Sequence, residues 1–143
     1  MTARDLERAY RRARYRLMLA DGPFELSVGT YSKALSELLE HHGVRTAALV
    51  TACNPGSRQV DAVANQAAQA ALLSAAARLG HATLPGVAVD PDGDWPDEES
   101  VLVLGIDAAA ATVLARRFGQ NALVWINSTG VPELVWVDRP PAE

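Results

Sequence analysis

The strongest candidate for chemistry is a polar loop that directly follows a short apolar run. Residues 46–51 (TAALVT) have the pattern of a strand buried on both faces, and Asn54-Pro-Gly-Ser57-Arg58 comes next. Ligands of open α/β sheets bind beyond the carboxyl ends of strands, where a following helix offers free N–H groups. Asn54, Ser57 and Arg58 would add side-chain donors at that point. The loop therefore predicts a site for a small polar or anionic ligand.

Three amide side chains could complete this site. Asn65 and Gln69 are four residues apart on the helix predicted to follow the loop, so they share one face of it. Gln120 falls between a predicted helix end and the next strand. A structural alternative stays open for each of them. The loop can be a turn with a helix cap, Asn65 can hydrogen-bond it, and Gln120 can satisfy the last carbonyls of its helix.

The sequence assigns no catalytic residue. The loop lacks the glycine pattern of a dinucleotide site and the Gly-Lys-Ser/Thr of a P-loop, and the chain has no Gly-x-Ser-x-Gly motif. Cys53, the only cysteine, is either a buried apolar residue or a nucleophile that needs His81 or His41 beside it. The three histidines and one cysteine have no zinc-site spacing, so we expect no metal and no cofactor. Whether the protein is an enzyme stays open.

Charge is distributed unevenly along the chain. Six arginines lie within residues 1–16, whereas residues 90–99 contain six acids and no base, and the net charge is −4. An acidic domain is a poor nucleic-acid binder, because phosphate contacts dominate that affinity. The arginines could still grip a nucleic acid or an acidic partner, or form a helix that folds back onto the acidic loop. In that loop, Trp95 either packs on the core or stacks on a ligand.

Strand and helix patterns alternate in the order ββαβαββαββ over the 143 residues. This order predicts a single domain of the α/β (α+β) class, with a mixed sheet and helices packed on its faces. Residues 101–106 (VLVLGI) lack polar alternation and are expected in the middle of the sheet. Residues 1–14 are expected to form a basic helix or arm, and residues 139–143 a loose tail. The strand order cannot be read from the pattern.

Several stretches together resemble one bacterial family. They are Thr51-Ala-Cys-Asn-Pro-Gly-Ser57, Asn65 with its alanine-rich helix, Pro91-Asp-Gly-Asp-Trp95, Glu98-Glu-Ser-Val-Leu-Val-Leu-Gly105 and Phe118-Gly-Gln-Asn-Ala122. In this order and spacing they are similar to domain-of-unknown-function family thirty-two ninety-three, over roughly residues 15–137. The resemblance implies a small bacterial cytosolic protein and no established activity, cofactor or catalytic residue. The chain departs from the family pattern at Cys53, where a large aromatic residue is expected.

The leading interpretation is a cytoplasmic bacterial protein that binds a small polar or anionic molecule at Asn54, Ser57, Arg58, Asn65, Gln69 and Gln120. One alternative is a protein-interaction or regulatory module with no small-molecule site, which would need an exposed apolar patch. The other is a weak nucleic-acid binder that uses the N-terminal arginines. No apolar run approaches the roughly 20 residues of a membrane helix, so no membrane partner is expected. The oligomeric state is not predicted.

Overall fold

The computed structural model describes residues 2–139. Its helices are α1 (Ala3–Arg12), α2 (Lys33–His41), α3 (Ala62–Arg78) and α4 (Ala108–Arg117). Its strands are β1 (Arg14–Leu19), β2 (Gly22–Leu26), β3 (Ala47–Val50), β4 (Thr83–Val89), β5 (Glu98–Leu104), β6 (Ala122–Ile126) and β7 (Glu133–Trp136). A single 3₁₀ turn, Pro55–Ser57, follows β3. None of the described helices is long and apolar enough to cross a bilayer.

All seven described strands form one sheet in the order β2-β1-β4-β5-β3-β6-β7. Every neighbouring pair is antiparallel, so the described sheet is wholly antiparallel, whereas the strand and helix pattern predicts a mixed sheet. The helical connections join strands that run in the same direction, but at least one antiparallel strand always lies between them. Strand β5 lies in the middle of the sheet, as its unbroken apolar pattern predicts, and Val101 to Leu104 are all buried.

The two faces of the sheet carry separate apolar cores. Helices α3 and α4 cover one face, where Leu72 and Leu114 pack on Val101 and Val103. Helix α2 covers part of the other face, where Leu35 packs with Leu49 and Leu102, among others. Helix α1 lies over this second face as well. The α/β (α+β) fold class with helices on the sheet faces is therefore confirmed.

The helices begin at side chains that suit the N-cap position. Ser32, Asp61 and Asp107 each accept a hydrogen bond from a backbone N–H of the first turn of α2, α3 and α4. Helix α1 begins with a capping box, because Thr2 and Asp5 bond each other's backbone N–H groups. Of the predicted loose tail, residues 140–143 lie outside the described residues. Arg139 contacts Glu7 of α1 at 3.7 Å.

Candidate functional site

A cavity of about 350 Å³ lies between α1 and the sheet face beneath it. Its wall on the α1 side is mostly apolar and includes Leu6, Ala9 and Ala13. The floor comes from side chains of the sheet: Tyr15, Leu49, Ala88, Ser100 and Val124. The remaining side, at the carboxyl end of β3, is polar and consists mainly of Cys53, Asn54, Ser57, Trp95, Glu98 and Gln120. We call this space the α1 cavity.

Helix α1 covers the cavity because one of its faces is apolar and its C-terminal part is attached to the rest of the molecule. Leu6 is buried, while Arg4, Arg8 and Arg11 are exposed and do not line the cavity. Arg12 pairs with Asp92 at 3.2 Å and reaches Asp90 at 3.9 Å. Tyr10 packs edge-on against Trp136, with ring centroids 6.0 Å apart. Part of the basic helix thus folds back onto the chain's own acidic loop, one of the two alternatives for the arginines.

The Asn54 loop has an unusual backbone that is held by many hydrogen bonds. Asn54 and Ser57 both have positive φ values, 49° and 64°, which non-glycine residues rarely adopt. The Asn54 N–H donates to Asn65 Oδ1 at 2.9 Å, and Asn65 Nδ2 donates to Asn54 Oδ1 at 3.1 Å. The Val60 N–H also donates to Asn54 Oδ1, at 3.0 Å. These bonds offset the strain and fix the direction in which the chain leaves β3.

Two further amides attach this loop to its surroundings. The Ala52 N–H donates to the buried Gln69 side chain at 3.2 Å. Gln120 Nε2 donates to the carbonyls of Cys53 and Phe118, at 3.1 and 3.2 Å. Both hydrogens of the Gln120 amide are thereby used, which leaves Oε1 as the remaining hydrogen-bonding atom of this cavity-lining side chain.

A close approach between the loop and the end of α4 depends on Gly119. The Gly56 N–H donates to the Gly119 carbonyl at 2.8 Å. A Cβ atom at Gly119 would lie 2.9 Å from Pro55 Cβ, and the φ of Gly119 is +70°. Asn121 Nδ2 donates to the Ser57 hydroxyl at 3.0 Å and holds the far end of the same loop. The Gly-Gln-Asn segment therefore supports the Asn54 loop directly.

Glu98 is the central charge at the polar end of the cavity. One of its oxygens, Oε2, accepts from Asn54 Nδ2 at 2.9 Å and from the Trp95 indole N–H at 2.8 Å. These two donors orient the carboxylate, and Oε1 is left as a second acceptor. Trp95 lines the cavity and is at the same time bonded to Glu98, so it connects the acidic loop to β5.

Ser100 lies two residues after Glu98, so both side chains project from the same face of β5. The Ser100 side chain is buried, with 7% of the residue exposed, and its hydroxyl has no hydrogen-bond partner among the described residues. Across the strand pair it faces Gly86, where a Cβ atom would lie only 3.0 Å from the Ser100 hydroxyl oxygen. Ser100 is thus a buried polar residue beneath the cavity, and the described residues leave its hydroxyl unsatisfied.

Burial keeps the phenols and the thiol at this site protonated. Burial raises the pKa of Tyr10 to about 12, and the charge of Glu98 adds to the effect. Burial also raises the pKa of Tyr15, whose hydroxyl donates to the Tyr10 carbonyl at 3.4 Å. The pKa of the Cys53 thiol is raised in the same way, mainly by burial. Cys53 is therefore a buried thiol rather than an activated nucleophile.

The histidine that Cys53 would need is elsewhere. His81 Nδ1 bonds the carbonyl of Leu104 at 2.9 Å, at the end of β5. The Cys53 sulfur lies 3.7 Å from the carbonyl of Glu99, at the start of the same strand. A pair of Cys53 with His81 is thus excluded by the length of β5.

The predicted ligand residues divide into two groups in space. Asn54, Ser57 and Gln120 line the α1 cavity. Asn65 and Gln69 do not line it, since their amides bond the backbone on the α3 side of the loop. Arg58 is exposed beyond the 3₁₀ turn and does not line the cavity either.

Among the polar residues that line the cavity, Tyr10, Tyr15, Glu98 and Ser100 are not among the predicted ligand residues. The apolar stripe of α1 indicates that the side of the helix with Tyr10 packs against another element, but it does not identify that element. For Glu98 and Ser100, the available signal was their alternation on β5. It places both on the face of Leu102, which is a core residue.

The acidic loop is organised around one carboxylate. Asp90 accepts hydrogen bonds from the N–H groups of Asp92, Asp94 and Trp95, at 3.0 to 3.1 Å. Within residues 2–139, no group of three or more acidic, histidine or cysteine side chains is arranged to hold a metal ion. Asp90 serves instead as the hydrogen-bond acceptor that closes the loop and as a partner of Arg12.

Comparison with known proteins gives one match. The model of the family described as "Protein of unknown function (DUF3293)" matches residues 50–123, just over half of the chain. The match is shorter than the expected resemblance over residues 15–137. It includes the Asn54 loop, Glu98, Ser100 and Gln120, and it leaves out α1 and β1. No curated protein and no solved structure matches the chain.

Proposed function

The chain belongs to the DUF3293 family of proteins of unknown function, and we propose that it binds a small organic molecule in the α1 cavity. The ligand has an apolar body and a head group that donates hydrogen bonds or carries a positive charge. The observation that carries this proposal is the cavity itself, which has apolar walls and an oriented carboxylate at one end.

The size and lining of the cavity support a small molecule rather than a peptide. Its volume of about 350 Å³ is within the range of small-molecule sites, which combine apolar walls with a few placed polar groups. The head group would lie against Glu98 Oε1 and Gln120 Oε1. The apolar body would lie between α1 and the sheet.

The charges around the cavity favour a cationic or neutral ligand over an anionic one. Asp90, Asp94 and Glu98 line it, and Arg12 is the one basic residue among its lining residues within the described part of the chain. Arg12 is already paired with Asp90 and Asp92. The N-terminus of α3, the other feature expected to attract an anion, is capped by the carboxylate of Asp61. The proposed site therefore lies at the Asn54 loop, as the sequence predicts, but the proposed ligand is cationic or neutral and not anionic.

A pair of matched probes tests the proposal. Phenethylamine and phenylacetate share an aromatic body and differ in the sign of the head-group charge. We expect millimolar phenethylamine to raise the melting temperature, because a ligand that binds only the folded state stabilises it by mass action. Phenylacetate should have a smaller effect. If phenylacetate stabilises the protein as much as the amine does, the charge argument is wrong.

Two variants locate the binding. Glu98→Gln should abolish the preference for the amine, since it removes the charge that faces the cavity. Glu99→Gln is the matched control, because Glu99 is exposed and points to the other face of β5. A preference that survives Glu98→Gln, or that Glu99→Gln abolishes as well, would contradict the role of Glu98 in the α1 cavity.

Nucleic-acid binding through the N-terminal arginines is the weaker alternative. Arg12 is held by the acidic loop, and Arg11 pairs with Glu7 at 3.6 Å. A backbone-binding surface needs several basic side chains on one face without acidic neighbours. Here the acidic loop lies directly beside the helix that carries the arginines.

A further inference from the structure

Helix α3 has an outer face without charge. Residues 62–77 contain no acidic or basic side chain, and α3 is the longest described helix. Val63 is 75% exposed and Leu73 is 43% exposed on this outer face. Helices of soluble domains normally present charged residues to solvent, as α1 and α2 do here. An uncharged outer face with large apolar side chains therefore indicates a surface that another helix covers.

The pattern of residue sizes along this face is self-complementary. If two copies of α3 pack antiparallel with Ala70 at the two-fold axis, Val63 faces Ala77 of the second copy. Leu73 then faces Ala67 of the second copy, so each large side chain meets a small one. All five residues are exposed and lie on one side of the helix. A two-fold interface requires this kind of match, because the same patch must fit itself.

The polar residues of α3 fit the same arrangement. Gln66 faces Ser74 of the second copy, so their side chains can hydrogen-bond at the edge of the contact. Arg78, at the end of one helix, approaches the start of the other, where Asp61 lies. The two helix dipoles are also antiparallel, which is the favourable orientation.

We propose that the protein forms a homodimer through antiparallel packing of α3 against α3 of a second copy. A helix of 17 residues is roughly 25 Å long, so the helix pair alone covers less than the roughly 800 Å² per partner of a standard interface. The groove beside it, between α3 and α4, supplies more apolar surface. Its lining includes Leu79 and Val113, which are 55% and 65% exposed.

Sedimentation velocity of the full chain tests the dimer. We expect a mass of twice 15.2 kDa at about 50 μM, and at least a tenfold weaker dimer in Leu73→Glu and in Val63→Glu. Both positions are exposed, so the substitutions leave the monomer folded, which circular dichroism verifies. Met18→Glu is the matched control: Met18 is also an exposed apolar residue, at 47%, but it lies on β1. A monomeric wild type, or a dimer that both α3 variants leave intact, overturns the proposal.

A cysteine variant tests the position of the axis. In Ala70→Cys the new thiols of the two copies face each other at the two-fold axis, so mild oxidation should link most of the dimer covalently. Ala62→Cys, in the first turn of α3, should not cross-link to itself, since its counterpart is at the far end of the interface. The native Cys53 is buried and does not compete. Cross-linking at Ala62 and none at Ala70 contradicts the antiparallel arrangement.

Discussion

Replacing Asn65 by alanine separates the structural role of this residue from a ligand role. The side chain accepts from the Asn54 N–H at 2.9 Å and donates to Asn54 Oδ1 at 3.1 Å. Losing the first bond leaves an N–H of a buried residue without a partner, at a cost of about 1–3 kcal/mol. The second bond adds about 0.5 kcal/mol, the low end of the usual range for a hydrogen bond, because Asn54 Oδ1 keeps the Val60 N–H as a donor.

We therefore expect Asn65→Ala to lower the free energy of unfolding by about 2–3 kcal/mol. For a domain of this size the melting temperature should fall by roughly 4–12 °C. Urea unfolding followed by tryptophan fluorescence measures the free energy, and Gln59→Ala is the control for losing an exposed amide in the same loop region.

Asn65→Asp refines the test, since it keeps the acceptor for the Asn54 N–H and places a second oxygen against Asn54 Oδ1. A loss below about 0.5 kcal/mol for Asn65→Ala, equal to that of Gln59→Ala, would refute the reasoning, because the buried N–H would then cost nothing. If stability is unchanged and the stabilisation by phenethylamine disappears, Asn65 serves the ligand instead.

Two further predictions concern the core and the tyrosines. Leu102→Ala should lower the free energy of unfolding, measured in urea, by about 2–5 kcal/mol, because Leu102 is fully buried in the middle strand. A loss below about 1 kcal/mol would show that the surrounding side chains collapse into the cavity. Folding raises the pKa of Tyr10 from 10.0 to about 12. The free energy of unfolding should therefore be fully present below pH 10 and should fall as the pH rises towards 12. For this one group the fall is at most about 1.4 kcal/mol per pH unit. Tyr10→Phe should flatten that decline, and an unchanged slope between pH 9 and 11.5 would mean that Tyr10 ionises freely in the folded protein.

The elements of the fold follow from local rules, whereas the order of the strands does not. Helices are predictable from their N-caps and from their apolar periodicity, because both signals act within one or two turns of the chain. The N-caps here are Ser32, Asp61 and Asp107. Strand order depends on which crossovers pack best over the whole sheet. The sequence of residues 101–106 indicates a middle strand, but nothing in it states that β3 and β4 are the neighbours.

Proline and glycine commonly interrupt strands, yet Pro85 and Gly86 both lie inside β4, for a related reason. Strand β4 runs without a break from Thr83 to Val89, and Pro85 pairs with Val101. A proline ends a strand only where its missing N–H is needed in the ladder. Gly86, next to it, is retained because Ser100 and Leu17 leave little room for a side chain. Whether a strand tolerates these two residues depends on its pairing register, and the register cannot be inferred from the sequence.

The candidate site was predictable at the loop and not at its surroundings. A polar loop after a buried strand marks the end of β3, and three of the six predicted residues line the cavity there. The other three face away, because the amides that follow such a loop can satisfy its backbone as readily as a ligand. Only geometry separates these roles: Asn65 and Gln69 lie on the α3 side of the sheet, whereas the cavity lies on the α1 side.

The two faces of the sheet therefore connect at the Asn54 loop. Asn54 receives hydrogen bonds from Asn65 on the α3 side and donates one to Glu98 on the cavity side. A ligand that engages Glu98 would add contacts to a network that already reaches α3, the helix of the proposed dimer. Such a link requires a second arrangement of the loop that the ligand disfavours. Phenethylamine should then change the dimer dissociation constant in sedimentation experiments only if the strained Asn54 backbone relaxes in the unliganded protein.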